Sequence, residues 1–230
     1  MVYPYWAMWY LLSLFIWDIM SPYFLRIKHP ILIALFISLL CGYDNNVGYY
    51  LSLSRTIVFF PYFLMGYFCK KSYISTIKKY VRKKYAIVGV LSVLLILYMM
   101  NSVIDYRWFY GSYSYSQLSS LSYPKYFMRM ATYIMAVTIS IFILTLIPGK
   151  KLFFTKLGSR TMAVYVFHGF IVKELVKYNF FDHVGSLPSK VFIIIFSLLI
   201  VIVLSSKFMN KITKMISNPP FFNQINPTKI

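Results

Sequence analysis

The amino-acid sequence predicts an all-α protein, a polytopic transmembrane helical bundle of about seven spans. Of its 230 residues, 60% are hydrophobic and 20% are aromatic, and the mean hydropathy is +0.67. A soluble core wrapped in a polar surface would be less apolar than this. The basic residues gather in short segments between apolar runs, which is the pattern of helices joined by loops at a membrane surface.

Seven apolar runs are predicted to cross the bilayer. They are residues 5–20, 31–42, 55–69, 86–104, 125–147, 158–178 and 189–208. Pro61 and Gly66 are expected to kink the third run and to let another helix approach closely. We expect residues 1–216 to form one transmembrane domain and residues 217–230 to form a cytoplasmic tail.

The basic clusters predict the orientation of these spans. The net charge of +19 would suggest nucleic-acid binding in a soluble chain, but here the clusters follow the positive-inside rule, so we expect the lipid bilayer and not nucleic acid as the partner. Residues 70–84 and 148–160 are predicted to be cytoplasmic and residues 105–124 to lie outside. The N-terminus is then outside and the C-terminus is cytoplasmic. An alternative role for residues 70–84 is to receive a phosphate-rich cofactor or anionic lipid.

His168 is the candidate catalytic residue, and it lies about nine residues into its span. At ~1.5 Å per helical residue it is roughly 13 Å deep, close to the midplane of a bilayer. Thr161, Tyr165 and His168 fall within roughly a 60° arc of the helix. A titratable imidazole at that depth, with a phenol one turn before it, is a candidate functional site. The alternative is a buried histidine that holds the bundle in register, and both interpretations stay open.

Arg55 and the two cysteines are the other residues whose chemistry could serve a site. Arg55 lies at the predicted outer end of its span, against the positive-inside rule, so it is a candidate anion ligand; an arginine that extends to the interface is the alternative. Cys41 and Cys69 are expected at opposite ends of neighbouring spans, so we predict no disulfide. Their spacing is not that of a metal site, and no metal is predicted.

Three segments carry a family resemblance. They are Trp9 to Phe15, Arg55 to Tyr67, and Leu157 to His168. In order and spacing they resemble the later two-thirds of the acyltransferase-3 family of membrane O-acyltransferases, in the branch similar to fucose 4-O-acetylases. The resemblance implies a bacterial cell-membrane enzyme that transfers an acyl group, expected to be acetyl from acetyl-CoA, to a sugar hydroxyl of a surface polysaccharide or glycolipid.

This chemistry assigns expected roles to the candidate residues. Acyl transfer to a hydroxyl needs a base for the hydroxyl proton and a donor for the developing oxyanion. His168, with Tyr165 as its partner, is expected to handle the proton. Predicted outer ligands for anionic groups of the acceptor are Arg55, Arg107 and Arg129. Arg160 is expected on the cytoplasmic side, where acetyl-CoA would be. An arginine at the depth of Arg129 is costly unless it is paired or faces a wet cavity.

The chain also differs from the pattern of this family at its N-terminal end. Family members begin with additional helices, the first of which carries an arginine and a histidine central to acyl transfer. No residue here matches that histidine, so the chain is expected to lack those helices and its activity alone is open. A glycan transporter or flippase component is the alternative from another class, although the inverted repeats typical of transporters are not visible. A third hypothesis is that the chain is an inactive fragment.

Overall fold

The computed structural model describes residues 8–46, 52–100, 105–118, 124–152 and 155–217. Within these ranges the chain is helical and has no β-strand, which confirms the predicted all-α class. The α-helices are α1 (Trp9–Phe24), α2 (Pro30–Cys41), α3 (Leu53–Phe68), α4 (Lys71–Tyr80), α5 (Lys83–Met99), α6 (Lys125–Leu146), α7 (Thr155–Gly158), α8 (Thr161–Lys177), α9 (Leu187–Leu204) and α10 (Lys207–Ser217). They form two compact units, Met1–Gly149 and Lys150–Ile230.

Two helices of the described chain, α6 and α9, are long and apolar enough to cross a membrane. Only 11% of the apolar window of α6 and 6% of that of α9 are buried, whereas a core helix of a soluble protein is mostly buried. The described parts of the other five predicted runs lie largely in α1, α2, α3, α5 and α8, which have 12 to 17 residues each. Residues 5–7 and 101–104 of these runs lie outside the described residues. Most of the predicted tail, residues 218–230, lies outside the described residues.

The core of the first unit is built where α1, α2 and α3 meet. Trp17 and Phe60 are buried there together with Ala34 and Leu64. The indole Nε1 of Trp17 donates to the carbonyl of Thr56 at 2.8 Å. This bond satisfies the one polar group of the indole, as burial of a tryptophan requires.

Close packing of side chains against the backbone in the first unit occurs at Gly42 and Gly89, and not at the predicted Gly66. A Cβ on Gly42 would lie 2.3 Å from the ring of Tyr115, and one on Gly89 would lie 2.4 Å from the ring of Phe142. Gly66 has no neighbour of this kind within 4 Å among the described residues. The expected close approach at Gly66 is therefore wrong, and Gly89 fills that role between α5 and α6.

Residues 105–118 form a compact segment before α6. It begins with a 3₁₀ turn, Tyr106–Tyr110, and Gly111 follows with φ 65°, a left-handed conformation that favours glycine. The segment is held by the Ser54 hydroxyl, which donates to the Gly111 carbonyl at 2.7 Å. It also has its own buried group of Trp108, Tyr115 and Leu118. These contacts fix the segment against α3, so it is ordered structure and not a simple turn.

Two basic helices were not predicted: α4 lies between the third and fourth predicted spans, and α10 begins at the end of the last one. The last turn of α4 carries Lys78 and Lys79, and Lys78 donates to the carbonyl of Ile147 at 2.7 Å. That carbonyl is at the C-terminal end of α6, where a cation is favoured. In α10 the exposed Phe208 and Met215 lie beside lysines, a pattern typical of helices at a membrane interface.

Candidate functional site

His168 lies in a groove of the second unit, between α8 and the end of α9. The groove has a volume of about 380 Å³ and is lined by Leu157, Gly158, Thr161, Val164, Tyr165, His168, Val201 and Ser205. The three residues that share one helical arc in the sequence, Thr161, Tyr165 and His168, therefore all face one groove. The rings of Tyr165 and His168 have centroids 5.9 Å apart at an angle of 52°.

The tautomer of His168 follows from its hydrogen bond. Nδ1 lies 2.9 Å from the carbonyl oxygen of Val164, one turn earlier in α8. A carbonyl oxygen only accepts, so Nδ1 carries the proton and donates it. In the neutral ring Nε2 is then the unprotonated, basic nitrogen. No described residue hydrogen-bonds to Nε2, so this nitrogen is available to accept a proton.

Arg160 immediately precedes α8 and is hydrogen-bonded to Ser205, which lines this groove. Its Nη1 donates to the carbonyl of Ser205 at 3.2 Å. The Ser205 hydroxyl is buried and has no hydrogen-bond partner among the described residues. A buried hydroxyl without a partner is unusual. It adds a polar group to a groove whose surface is otherwise mostly apolar, and no sequence motif marks Ser205 as part of a site.

The three arginines predicted to lie on the outer side converge on two residues of the first unit, Ser112 and Tyr113. Arg55 Nη2 lies 3.4 Å from the Ser112 hydroxyl. Arg107 lies over the ring of Tyr113 at 5.5 Å, and Arg129 Nη2 donates to the Tyr113 carbonyl at 3.1 Å. The structure thus brings together three positive side chains that are far apart in the sequence.

Arg107 has an acidic partner, and Arg55 has an aromatic one. Arg107 forms an ion pair with Asp105 at 2.6 Å, and its hydrogen bonds lower the pKa of the Asp105 carboxyl. Arg55 lies over the indole of Trp9 at 5.2 Å, which is the geometry of a cation–π interaction.

Arg129 is different because it is buried without a counter-ion. It is 1% exposed, and its Nε and Nη1 have no hydrogen-bond partner among the described residues. Its guanidinium lies over the ring of Tyr115 at 5.3 Å. Burial raises the pKa of the Tyr115 phenol despite the opposing charge of Arg129, and its hydroxyl donates to the Leu39 carbonyl. Tyr115 is therefore neutral and cannot balance the charge.

A cleft of about 300 Å³ lies in the first unit, among residues of α3, α6 and the segment 105–118. Half of its lining residues are aromatic, and a few carry hydroxyl groups: Val58, Phe59, Tyr62, Trp108, Phe109, Gly111, Thr132, Tyr133, Ala136 and Ser140. The indole Nε1 of Trp108 is buried and lacks a partner among the described residues. In the sequence Trp108 is one of many aromatic residues between positions 105 and 124, and no pattern there distinguishes it from the others.

No family model, curated protein or solved structure matches this chain. The resemblance to the acyltransferase-3 family therefore stays a prediction.

Proposed function

We propose that this chain is an integral membrane O-acyltransferase, or a portion of one, that transfers an acetyl group from acetyl-CoA to a sugar hydroxyl of a cell-surface glycan. The observation that carries the proposal is the fixed tautomer of His168 in a groove. When Nδ1–H is held by the Val164 carbonyl, the neutral imidazole presents Nε2 as its basic nitrogen. A base of this kind is what acyl transfer to an alcohol requires.

The proposed setting is a membrane bundle of seven spans, with the N-terminus outside and the C-terminus in the cytoplasm. Support comes from α6 and α9, which are long and apolar and leave most of their side chains exposed. Apolar side chains exposed in this number are unfavourable in water but not in lipid. The basic helices α4 and α10 would then lie along the cytoplasmic surface, where lysines contact anionic headgroups.

In the proposed reaction the acceptor hydroxyl attacks the thioester carbonyl of acetyl-CoA. Nε2 of His168 takes the hydroxyl proton as the new C–O bond forms. The C–S bond then breaks, and the imidazolium returns the proton to the departing thiolate. Tyr165 supports the imidazole from one turn earlier, and Arg160 lies at the same groove, where its remaining N–H groups can bind an anionic part of acetyl-CoA.

The proposal is tested by acetyl transfer from labelled acetyl-CoA to membrane glycan. We expect His168→Gln to lower the rate by about 10²–10⁴-fold, the usual contribution of a general base, while membrane insertion and thermal stability are retained. His29→Gln is the matched control, because His29 is exposed in the first unit, and it should leave the rate unchanged. Loss of protein and of activity in equal measure would favour a structural role for His168. Absence of transfer by well-folded wild-type protein would contradict the proposed function.

A further inference from the structure

A surface cleft of the first unit lies where the loop between α1 and α2 meets the end of α3. It has a volume of about 440 Å³ and is lined by Lys28, His29, Pro30, Ile31, Leu32 and Phe68. Lys28 is exposed, so its ammonium group is accessible to a ligand, and most of the other lining residues are apolar. The cleft therefore offers a positive charge next to an apolar surface.

The positive charge at this end of the unit has no acidic partner. Arg26 lies two residues before Lys28, and Lys70 and Lys71 follow Phe68 within three residues; all four basic side chains are exposed. All five acidic side chains of the protein lie within the described ranges, and none forms an ion pair with these four residues. The cleft therefore favours an anionic occupant. A second copy of the chain does not match it well, because its net charge is +19 and like charges repel.

An apolar stripe leads away from the cleft along α2. Leu32, Phe36 and Leu40 recur every four residues and are 63%, 61% and 51% exposed, so they share one face of the helix. The opposite face carries Ala34 and Ser38, which are buried. Leu32 belongs to both the cleft and this α2 stripe, and at about 1.5 Å per residue the stripe extends about 12 Å. An exposed apolar surface beside a cation matches a molecule that has an anionic head and an apolar chain.

We propose that the cleft and the α2 stripe together bind an anionic phospholipid. Lys28 donates to the phosphate oxygens, and one acyl chain lies along the stripe. Phosphate oxygens accept charge-assisted hydrogen bonds from an ammonium group, and basic pockets between helices at the cytoplasmic surface are typical sites for anionic headgroups. This proposal rests on the membrane setting proposed above but not on the acyl-transfer reaction.

The charged part of the site is tested by native mass spectrometry of the detergent-purified full chain. The protein is titrated with phosphatidylglycerol, or with phosphatidylcholine that has the same acyl chains. We expect the first phosphatidylglycerol to bind at least tenfold more tightly than the first phosphatidylcholine. Lys28→Gln should weaken phosphatidylglycerol binding about tenfold, as expected for loss of a hydrogen bond between charged groups, and should remove most of the preference. Lys79→Gln, at an exposed lysine of α4 in the same unit, is the control and should leave the preference unchanged.

The apolar part of the site is tested in the same titrations. Phe36→Ala should weaken binding of both phospholipids about 3–10-fold, because their acyl chains are identical and lose the same apolar contact. Val88→Ala, at a residue of α5 that is 60% exposed, is the control and should have no effect. Glycerol 3-phosphate carries the phosphate without acyl chains, and it should not displace phosphatidylglycerol even in large excess.

Four results would overturn the proposal. They are equal affinity for the two phospholipids, equal behaviour of Lys28→Gln and Lys79→Gln, displacement by glycerol 3-phosphate, and a dimer that Phe36→Ala dissociates. Displacement would identify a site for free phosphate, and the dimer would identify the α2 stripe as an interface between copies. All variants should melt at the temperature of the wild type, because the replaced side chains are exposed. Since no acyl transfer is measured, these results are independent of those that test the proposed reaction.

Discussion

Replacement of Tyr133 by phenylalanine is the sharpest test of how the first unit is held together. Tyr133 is 3% exposed and lies on α6. Its hydroxyl is 2.5 Å from the Val58 carbonyl of α3 and 2.8 Å from the Ser38 hydroxyl of α2. Ser38 is also 2.7 Å from the Leu35 carbonyl. The hydroxyl protons of Tyr133 and Ser38 are thus shared among three oxygen–oxygen contacts. Through them the Tyr133 side chain of α6 is linked to both α2 and α3.

The magnitude follows from the single group that is removed. Tyr133→Phe keeps the ring and its packing but deletes one donor from a buried network. A buried hydrogen bond contributes about 0.5–1.5 kcal/mol, with values near 0.6 typical between membrane helices. The Ser38 hydroxyl keeps its bond to Leu35, so no orphan donor adds to the loss. At about 2–4 °C per kcal/mol for a chain of this size, we expect the melting temperature to fall by about 1–6 °C.

The assay is thermal unfolding of detergent-solubilised protein, followed by near-ultraviolet circular dichroism. Tyr126→Phe is the matched control, because Tyr126 is on the same helix, is 37% exposed and has no hydroxyl hydrogen bond among the described residues. It should leave the melting temperature unchanged. Equal shifts for the two variants, or no shift for Tyr133→Phe, would refute the argument that this hydroxyl links α2, α3 and α6.

Three other predictions test separate parts of the structure. Gly42→Ala should lower stability by about 1–3 kcal/mol, since its Cβ would meet the buried Tyr115 ring, whereas Gly66→Ala in open space should be neutral or slightly stabilising in the same denaturation assay. A cysteine at position 116, where Ser116 is exposed, should label from the outer face of intact cells once the native cysteines are replaced. Labelling only after permeabilisation would contradict the topology. The hydrogen bond from Arg107 lowers the pKa of Asp105. The stabilisation by this pair should therefore be constant above about pH 4, the ordinary pKa of an aspartate, and should be lost as the pH falls below that value. In melting curves measured against pH, Asp105→Asn should abolish this loss of stability in acid.

The helices were largely predictable from sequence because apolar runs in a chain this hydrophobic have few alternatives. The arc of Thr161, Tyr165 and His168 was also predictable, since it depends only on helical geometry. In the structure all three residues line one groove, as expected for side chains on the same face of a helix. Helix α4 was not predicted because the basic residues of 70–84 were interpreted through their charge, as a marker of orientation or a surface for anionic groups. Helix α10 begins at the end of the last predicted span and was not predicted as a separate helix.

Long-range contacts could not be predicted in the same way. The sequence grouped Arg55, Arg107 and Arg129 by their predicted side of the membrane, but it could not show that all three meet at Ser112 and Tyr113. Nor could it separate the arginine that lacks a counter-ion from the one paired with Asp105. That distinction depends on tertiary structure, because a buried side chain is satisfied or left without partners by residues distant in sequence.

The central claim, acetyl transfer to a surface glycan, is tested most directly on the glycan itself. The measurement is mass spectrometry of surface glycan from cells that lack the gene, with and without complementation by wild-type protein or by His168→Gln at matched membrane levels. The account predicts alkali-labile acetyl esters in the wild-type sample and their loss in the other two. Esters of equal abundance in all three samples would contradict it, as would an unmodified glycan in cells whose membranes contain folded wild-type protein.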